Sequence, residues 1–194
     1  MSSIAGSGRD IWNEQDGFRF HYFETTRDFD LVVRVRSITN TYGWAKAAIM
    51  ARQSIDPGSA HAMIAASVAH GTAYQWRSLP NNETFSTTPS EDGGPPRWLK
   101  LTRRDEGGGS LVKGYTSADG VNWVQTSSQM VGFGPAILVG LAVTSHVDGV
   151  LATAEFDQLT LTQPPAPASN LRVTHRGADG RIDLAWNDNS TDET

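Results

Sequence analysis

Apolar and polar side chains alternate with a period of two through most of the chain, the repeat that sends successive side chains to opposite faces of a β-strand. Phe18, Phe20 and Tyr22 alternate with Arg19 and His21, and Phe29, Leu31, Val33 and Val35 alternate with Asp30, Val32, Arg34 and Arg36. Residues 98–103, 111–116, 136–144 and 150–162 carry the same signature and are predicted as strands. Turn signals separate them: Asp56-Pro57-Gly58, the run from Asp105 to Gly109, Asp119-Gly120 and Asp148-Gly149. About ten short strands joined in this way predict an all-β fold, an antiparallel β-sandwich or jelly roll.

Two segments pull the other way. Residues 44–52 and 60–68 are rich in alanine and methionine, which favour helix. As helices they would be very short and tightly bounded by turns. As strands they alternate, with Ala45, Ala47, Ile49 and Ala51 on one face and Trp44, Lys46, Met50 and Arg52 on the other. Both are predicted as strands, because tertiary context overrides propensities of this size. Residues 79–96 are polar and read as a long exposed loop. After Thr162 the texture changes to a proline-rich linker, 163–169, followed by strand-like pieces at 170–174 and 181–186.

Composition narrows the class. A chain of 194 residues fits one domain with a remainder, and 38% hydrophobic residues suffice for a buried core. Its 16 basic and 21 acidic residues give a net charge of −5, without the basic surplus of a nucleic-acid binder, so no nucleic-acid partner is expected. No apolar run approaches the roughly 18 residues of a membrane span, so no membrane insertion is expected. The absence of cysteine excludes a disulfide framework, a thiolate metal site and a cysteine nucleophile. The histidines show no ligand spacing, so neither a metal nor another cofactor is expected. Residues 1–10 lack the apolar stretch of a secretory signal.

A set of motifs adds to this. Gly6-Ser-Gly-Arg-Asp-Ile-Trp12, Asp28-Phe-Asp-Leu-Val-Val-Arg-Val35, residues 44–52, Pro57-Gly-Ser-Ala-His-Ala62, Trp98-Leu-Lys-Leu101, residues 114–123 and Phe156-Asp-Gln-Leu159 follow one another across residues 1–162. In this order they resemble the concanavalin A-like lectin/glucanase superfamily of jelly-roll modules, in the bacterial branch related to the regulation-of-enolase family. The resemblance implies a concanavalin A-like β-sandwich over 1–162 whose first strand, normally upstream of Gly6, is missing. Pro167-Ala-Ser-Asn-Leu-Arg-Val173 and the segment from Ile182 to Ser190 resemble the opening of a fibronectin type III domain. That implies an incomplete second domain over 170–194, holding only its first two strands.

Glucanases of the superfamily use a Glu-x-Asp-x-x-Glu strand. The nearest match, Glu155-Phe-Asp157-Gln-Leu-Thr160, has Thr160 in place of the last acid. Glycoside hydrolysis needs a pair of carboxyl groups across the scissile bond, so no catalytic residue is assigned and the chain is not expected to be an enzyme. Alternation does yield one candidate ligand surface. Arg34, Arg36, Trp44, Lys46, Arg52, Trp98 and Lys100 are expected to face away from the core, with Gln75 and Arg77 joining them. Trp44 and Trp98 would stack on pyranose rings while the cations hydrogen-bond hydroxyl or anionic groups. The expected role is a non-catalytic carbohydrate-binding or surface-recognition module of an extracellular bacterial multidomain protein. Its partners would be a glycan or polysaccharide and the neighbouring domains of the same parent chain. The alternatives are a structural or adhesive spacer without a small-molecule ligand, and an accessory domain of a glycoside hydrolase or other secreted hydrolase.

Overall fold

The computed structural model describes residues 1–90, 93–164, 169–176 and 182–187. Linker residues 165–168 and the tail from residue 188 onward lie outside the described residues. The chain divides into two units, Met1–Thr162 and Gln163–Thr194. The regular elements described are all strands. In chain order they are β1 (Ser2–Gly8), β2 (Ile11–Trp12), β3 (Gln15–Asp16), β4 (Arg19–Thr25), β5 (Phe29–Ile38), β6 (Lys46–Arg52), β7 (His61–Ser67) and β8 (Thr72–Arg77). There follow β9 (Phe85–Ser86), β10 (Arg97–Asp105), β11 (Ser110–Ser117), β12 (Val124–Val131), β13 (Ile137–Thr144), β14 (Val147–Thr162), β15 (Ser169–Arg176) and β16 (Ile182–Asn187). Among the described residues no helix is long and apolar enough to cross a membrane.

The first unit is an antiparallel β-sandwich of two six-stranded sheets, ordered β1-β14-β5-β10-β11-β12 and β4-β13-β6-β7-β8-β9. In the second unit β15 pairs antiparallel with β16, with Val173 opposite Leu184. Between the two large sheets lies the main core. Phe29, Leu31, Val33 and Val35 of β5 are buried there with Ala47, Ile49 and Ala51 of β6, so the alternation of both strands points its apolar face inward as expected. Tyr74 of β8 crosses this layer and donates from its hydroxyl to the Val112 carbonyl at 3.0 Å. Gly114 of β11 leaves room for that ring, which a Cβ there would strike.

The central strands of the second sheet, β13, β6 and β7, are buried on their other face as well. Ile11, Ala48, Met50, Met63, Ala65 and Ala142 form a second apolar cluster, flanked by Phe18 and Phe20. Its cover is the hairpin β2–β3. The chain enters the hairpin beyond Gly8, whose φ of +148° and close approach to the Gly17 carbonyl leave no room for a side chain. The Asp16 amide donates to the Pro57 carbonyl at 3.0 Å, and the Thr84 amide donates to the Asn13 carbonyl at 2.9 Å. These bonds tie the hairpin across the sheet. Covered on both sides, β6 and β7 need no polar face, which is why their composition looks helical.

Two expectations are corrected here. Lys46 and Arg52 face away from the main core, yet they are not exposed: they keep 3% and 0% of their surface. The hairpin lies over them. Residues 79–96, expected as an exposed loop, contain β9, which pairs Ser86 with Gln75 and Phe85 with Trp76. Backbone bonds from Thr87 to Tyr74 and from Ser90 to Thr72, both 2.9 Å, continue this pairing. The segment thereby caps the edge of β8, where unpaired backbone groups would otherwise invite another chain.

Candidate functional site

On the hairpin side of the second sheet lies a cleft of about 420 Å³, lined by Asp10, Trp12, Trp44, Lys46, Gln75, Ser86, Thr87, Pro89 and His146. Each comes from a defined part of the fold. Lys46 opens β6, Gln75 lies on β8, and Ser86, Thr87 and Pro89 belong to the segment capping that strand. Asp10 and Trp12 are brought by the hairpin, and His146 sits between β13 and β14 in a left-handed conformation with φ of +61°.

The polar centre is an ion pair. Lys46 Nζ stands 2.5 Å from Asp10 Oδ1, and the other carboxylate oxygen stands 3.1 Å from His146 Nε2. Burial pushes the pKa of the Lys46 ammonium down, and the Asp10 carboxylate partly restores it. Two tryptophans flank the ammonium, with ring centroids 5.8 Å (Trp44) and 6.0 Å (Trp12) from Nζ. Trp44 is held by stacking on His70 at 4.0 Å, and His146 by stacking on Tyr42 at 4.5 Å. A second groove shares Asp10, Trp12 and His146 with the cleft and runs on past Arg9, Glu14, Glu83 and Asp148.

Next to the cleft, the hairpin's other aspartate serves the fold. The Asp16 side chain is fully buried and accepts from Arg77 Nη2 at 2.7 Å and Arg77 Nη1 at 2.9 Å, and from Arg52 Nη1 at 3.2 Å. The remaining donors of these guanidiniums go to protein. Arg52 bonds the carbonyls of Ser54 and Asp56. Arg77 bonds those of Asn82, Pro57, Ser59 and Asn13, and the Thr84 hydroxyl. Arg52 also lies 4.9 Å from the Phe18 ring.

Of the nine residues expected to form one ligand surface, the structure brings Trp44, Lys46 and Gln75 into the cleft. Arg52 and Arg77 are on the same sheet face but buried against Asp16. Arg34, Arg36, Trp98 and Lys100 are on the other sheet, with the main core between the two sets. Arg34 is bidentate on Asp157 at 2.7 and 2.5 Å, and this bonding holds the Asp157 carboxyl below the usual carboxylate range. Arg36 is 3.8 Å from the same carboxylate, and Trp98 lies 5.7 Å beneath the Arg34 guanidinium. Lys100 stands 4.5 Å from the ring centres of both Tyr115 and Trp123. The single surface is therefore two, on opposite outer faces. Asp10, Trp12 and His146 were not among the expected site residues. Asp10 and Trp12 do fall in the motif quoted for the superfamily resemblance, which was the available signal.

Among the described residues, no group of three or more His, Asp or Glu is placed to hold a metal ion. No family model matches the chain, and no curated protein matches it. Solved structures do. A functionally unknown protein from Saccharomyces cerevisiae is 24% identical, with 84% of this chain and 88% of that one covered and a TM-score of 0.64. The GH43 protein BlXynB from Bacillus licheniformis is 15% identical, with 70% of this chain but only 27% of that one covered and a TM-score of 0.52. Its mutant form gives 14%, 71%, 28% and 0.54. At these identities the likeness is one of fold.

Proposed function

We propose that residues 1–162 act as a non-catalytic carbohydrate-binding module of a secreted multidomain protein, with the glycan held in the cleft between Trp44 and Trp12. The observation that carries this reading is the pair of tryptophans flanking a buried, hydrogen-bonding polar centre. Aromatic faces stack on the apolar faces of sugar rings while a few placed polar groups fix orientation. At about 420 Å³ the cleft falls within the range of small-ligand sites. The match covers 28% of the GH43 chain, which fits a module that forms part of a longer protein. The tail is read as the start of a fibronectin type III domain in the same parent protein. In favour of a non-catalytic role, Asp10, the one carboxylate lining the cleft among the described residues, is already engaged by Lys46 and Ile11, whereas glycoside hydrolysis calls for two.

Affinity electrophoresis in gels containing soluble polysaccharides tests this. The whole chain is expected to be retarded by at least one polysaccharide, Trp44→Ala to lose tenfold or more in affinity, and Trp98→Ala on the opposite face to keep it. Retardation that survives Trp44→Ala combined with Trp12→Ala would overturn the site.

A further inference from the structure

We infer, resting on the glycan reading, that the cleft selects a neutral sugar unit, with Gln75 as its specificity-determining residue accepting a hydrogen bond from one sugar hydroxyl. Gln75 retains 3% of its surface, and its Oε1 is buried without a hydrogen-bond partner. A buried carbonyl oxygen left in this state is disfavoured until a donor arrives. The hydroxyls nearest along the capping segment do not supply one: Ser86 donates to the Thr87 carbonyl, and the Thr87 hydroxyl bonds the Tyr74 backbone. Gln75 lines the cleft, so an O–H or N–H that reaches Oε1 from a bound ligand would satisfy it. A sugar hydroxyl does so, on a neutral sugar and on a uronate alike.

Charge is what favours a neutral unit. The one lysine in the cleft is already matched by Asp10 at 2.5 Å. A uronate carboxylate seeking Lys46 would come to rest beside the Asp10 carboxylate, a like-charge contact. The adjoining groove adds Glu14, Glu83 and Asp148 against Arg9, so an acidic polymer lying along it meets further repulsion. A neutral polyol meets none and still finds donors on the lysine ammonium.

The test uses the whole chain against xylan, galactomannan and mixed-linkage β-glucan as neutral polymers, and polygalacturonate and alginate as acidic ones. The expected result is Trp44-dependent retardation by at least one neutral polymer and by neither acidic one. Gln75→Leu should lower that affinity tenfold or more while leaving the melting temperature unchanged or higher, since it removes an unpaired buried oxygen. A purely structural glutamine would instead lower the melting temperature and spare binding in proportion to the folded fraction. Neutral binding that needs Trp44 but not Gln75 overturns the inference and leaves the glycan reading standing. So does Trp44-dependent binding of polygalacturonate or alginate. Binding to none of the five overturns both.

Discussion

His61 shows how one buried side chain couples the covered face to pH. The ring is fully buried and its Nδ1 is 3.6 Å from Asp16 Oδ2. Burial, then the Arg77 and Arg52 guanidiniums and Lys46 more weakly, hold its pKa well below the ordinary 6.5. In the unfolded chain the ring takes up a proton near that ordinary value, so the unfolded state binds more protons as pH falls. Stability is complete above about pH 6.5 and is lost below it, by up to about 1.4 kcal/mol per pH unit from this group. Urea denaturation between pH 5 and 8 should show this slope, and His61→Gln should flatten it. At the same scale, alternation alone placed Lys46 and Gln75 away from the core. It could not find their surroundings, because Asp10 lies 36 positions before Lys46 and charge pairing over such a distance leaves no local pattern.

Strands legible by period were those with one face in the main core. In β5 every second residue from Phe29 to Val35 is apolar, and each of these four is buried. The strands β6 and β7 are harder because both faces are covered, and what speaks for strand is that helices bounded so tightly by turns would be very short. The hairpin β2–β3 was not read as an element at all, since two-residue strands are too short to show a period. Edge strand β12 escaped for another reason: Gln125 to Gln129 is polar throughout. The hairpin is nevertheless what turns a sheet face into a cleft, and Asp16 is its anchor. Asp16→Ala should strand two buried guanidiniums and cost about 3–5 kcal/mol in urea denaturation, the range for breaking a buried ion pair by removing one partner.

For the whole molecule, the decisive fact is that the outer faces of the sandwich point in opposite directions. Periodicity distinguishes inward from outward but not one sheet from the other, so Arg34, Arg36, Trp98 and Lys100 were grouped with Trp44 although the core separates them. Strand order across sheets depends on long-range pairing, such as β14 with β5 and β13 with β6, which the local pattern does not encode. All strands that line the cleft belong to Met1–Thr162. A chain ending at Thr162 should therefore unfold in a single cooperative transition by circular dichroism and retain the polysaccharide affinity of the longer chain.

The bonds that complete the cleft join distant parts of the chain. Asp10 meets Lys46 across 36 positions, Asp16 meets Arg77 across 61, and the Thr144 hydroxyl reaches the Gly8 carbonyl across 136. Contacts of such separation carry the largest loop-closure cost and come late in folding. On the proposed glycan reading, retention on a polysaccharide matrix would require all of these contacts at once, so it would report assembled molecules rather than folded segments.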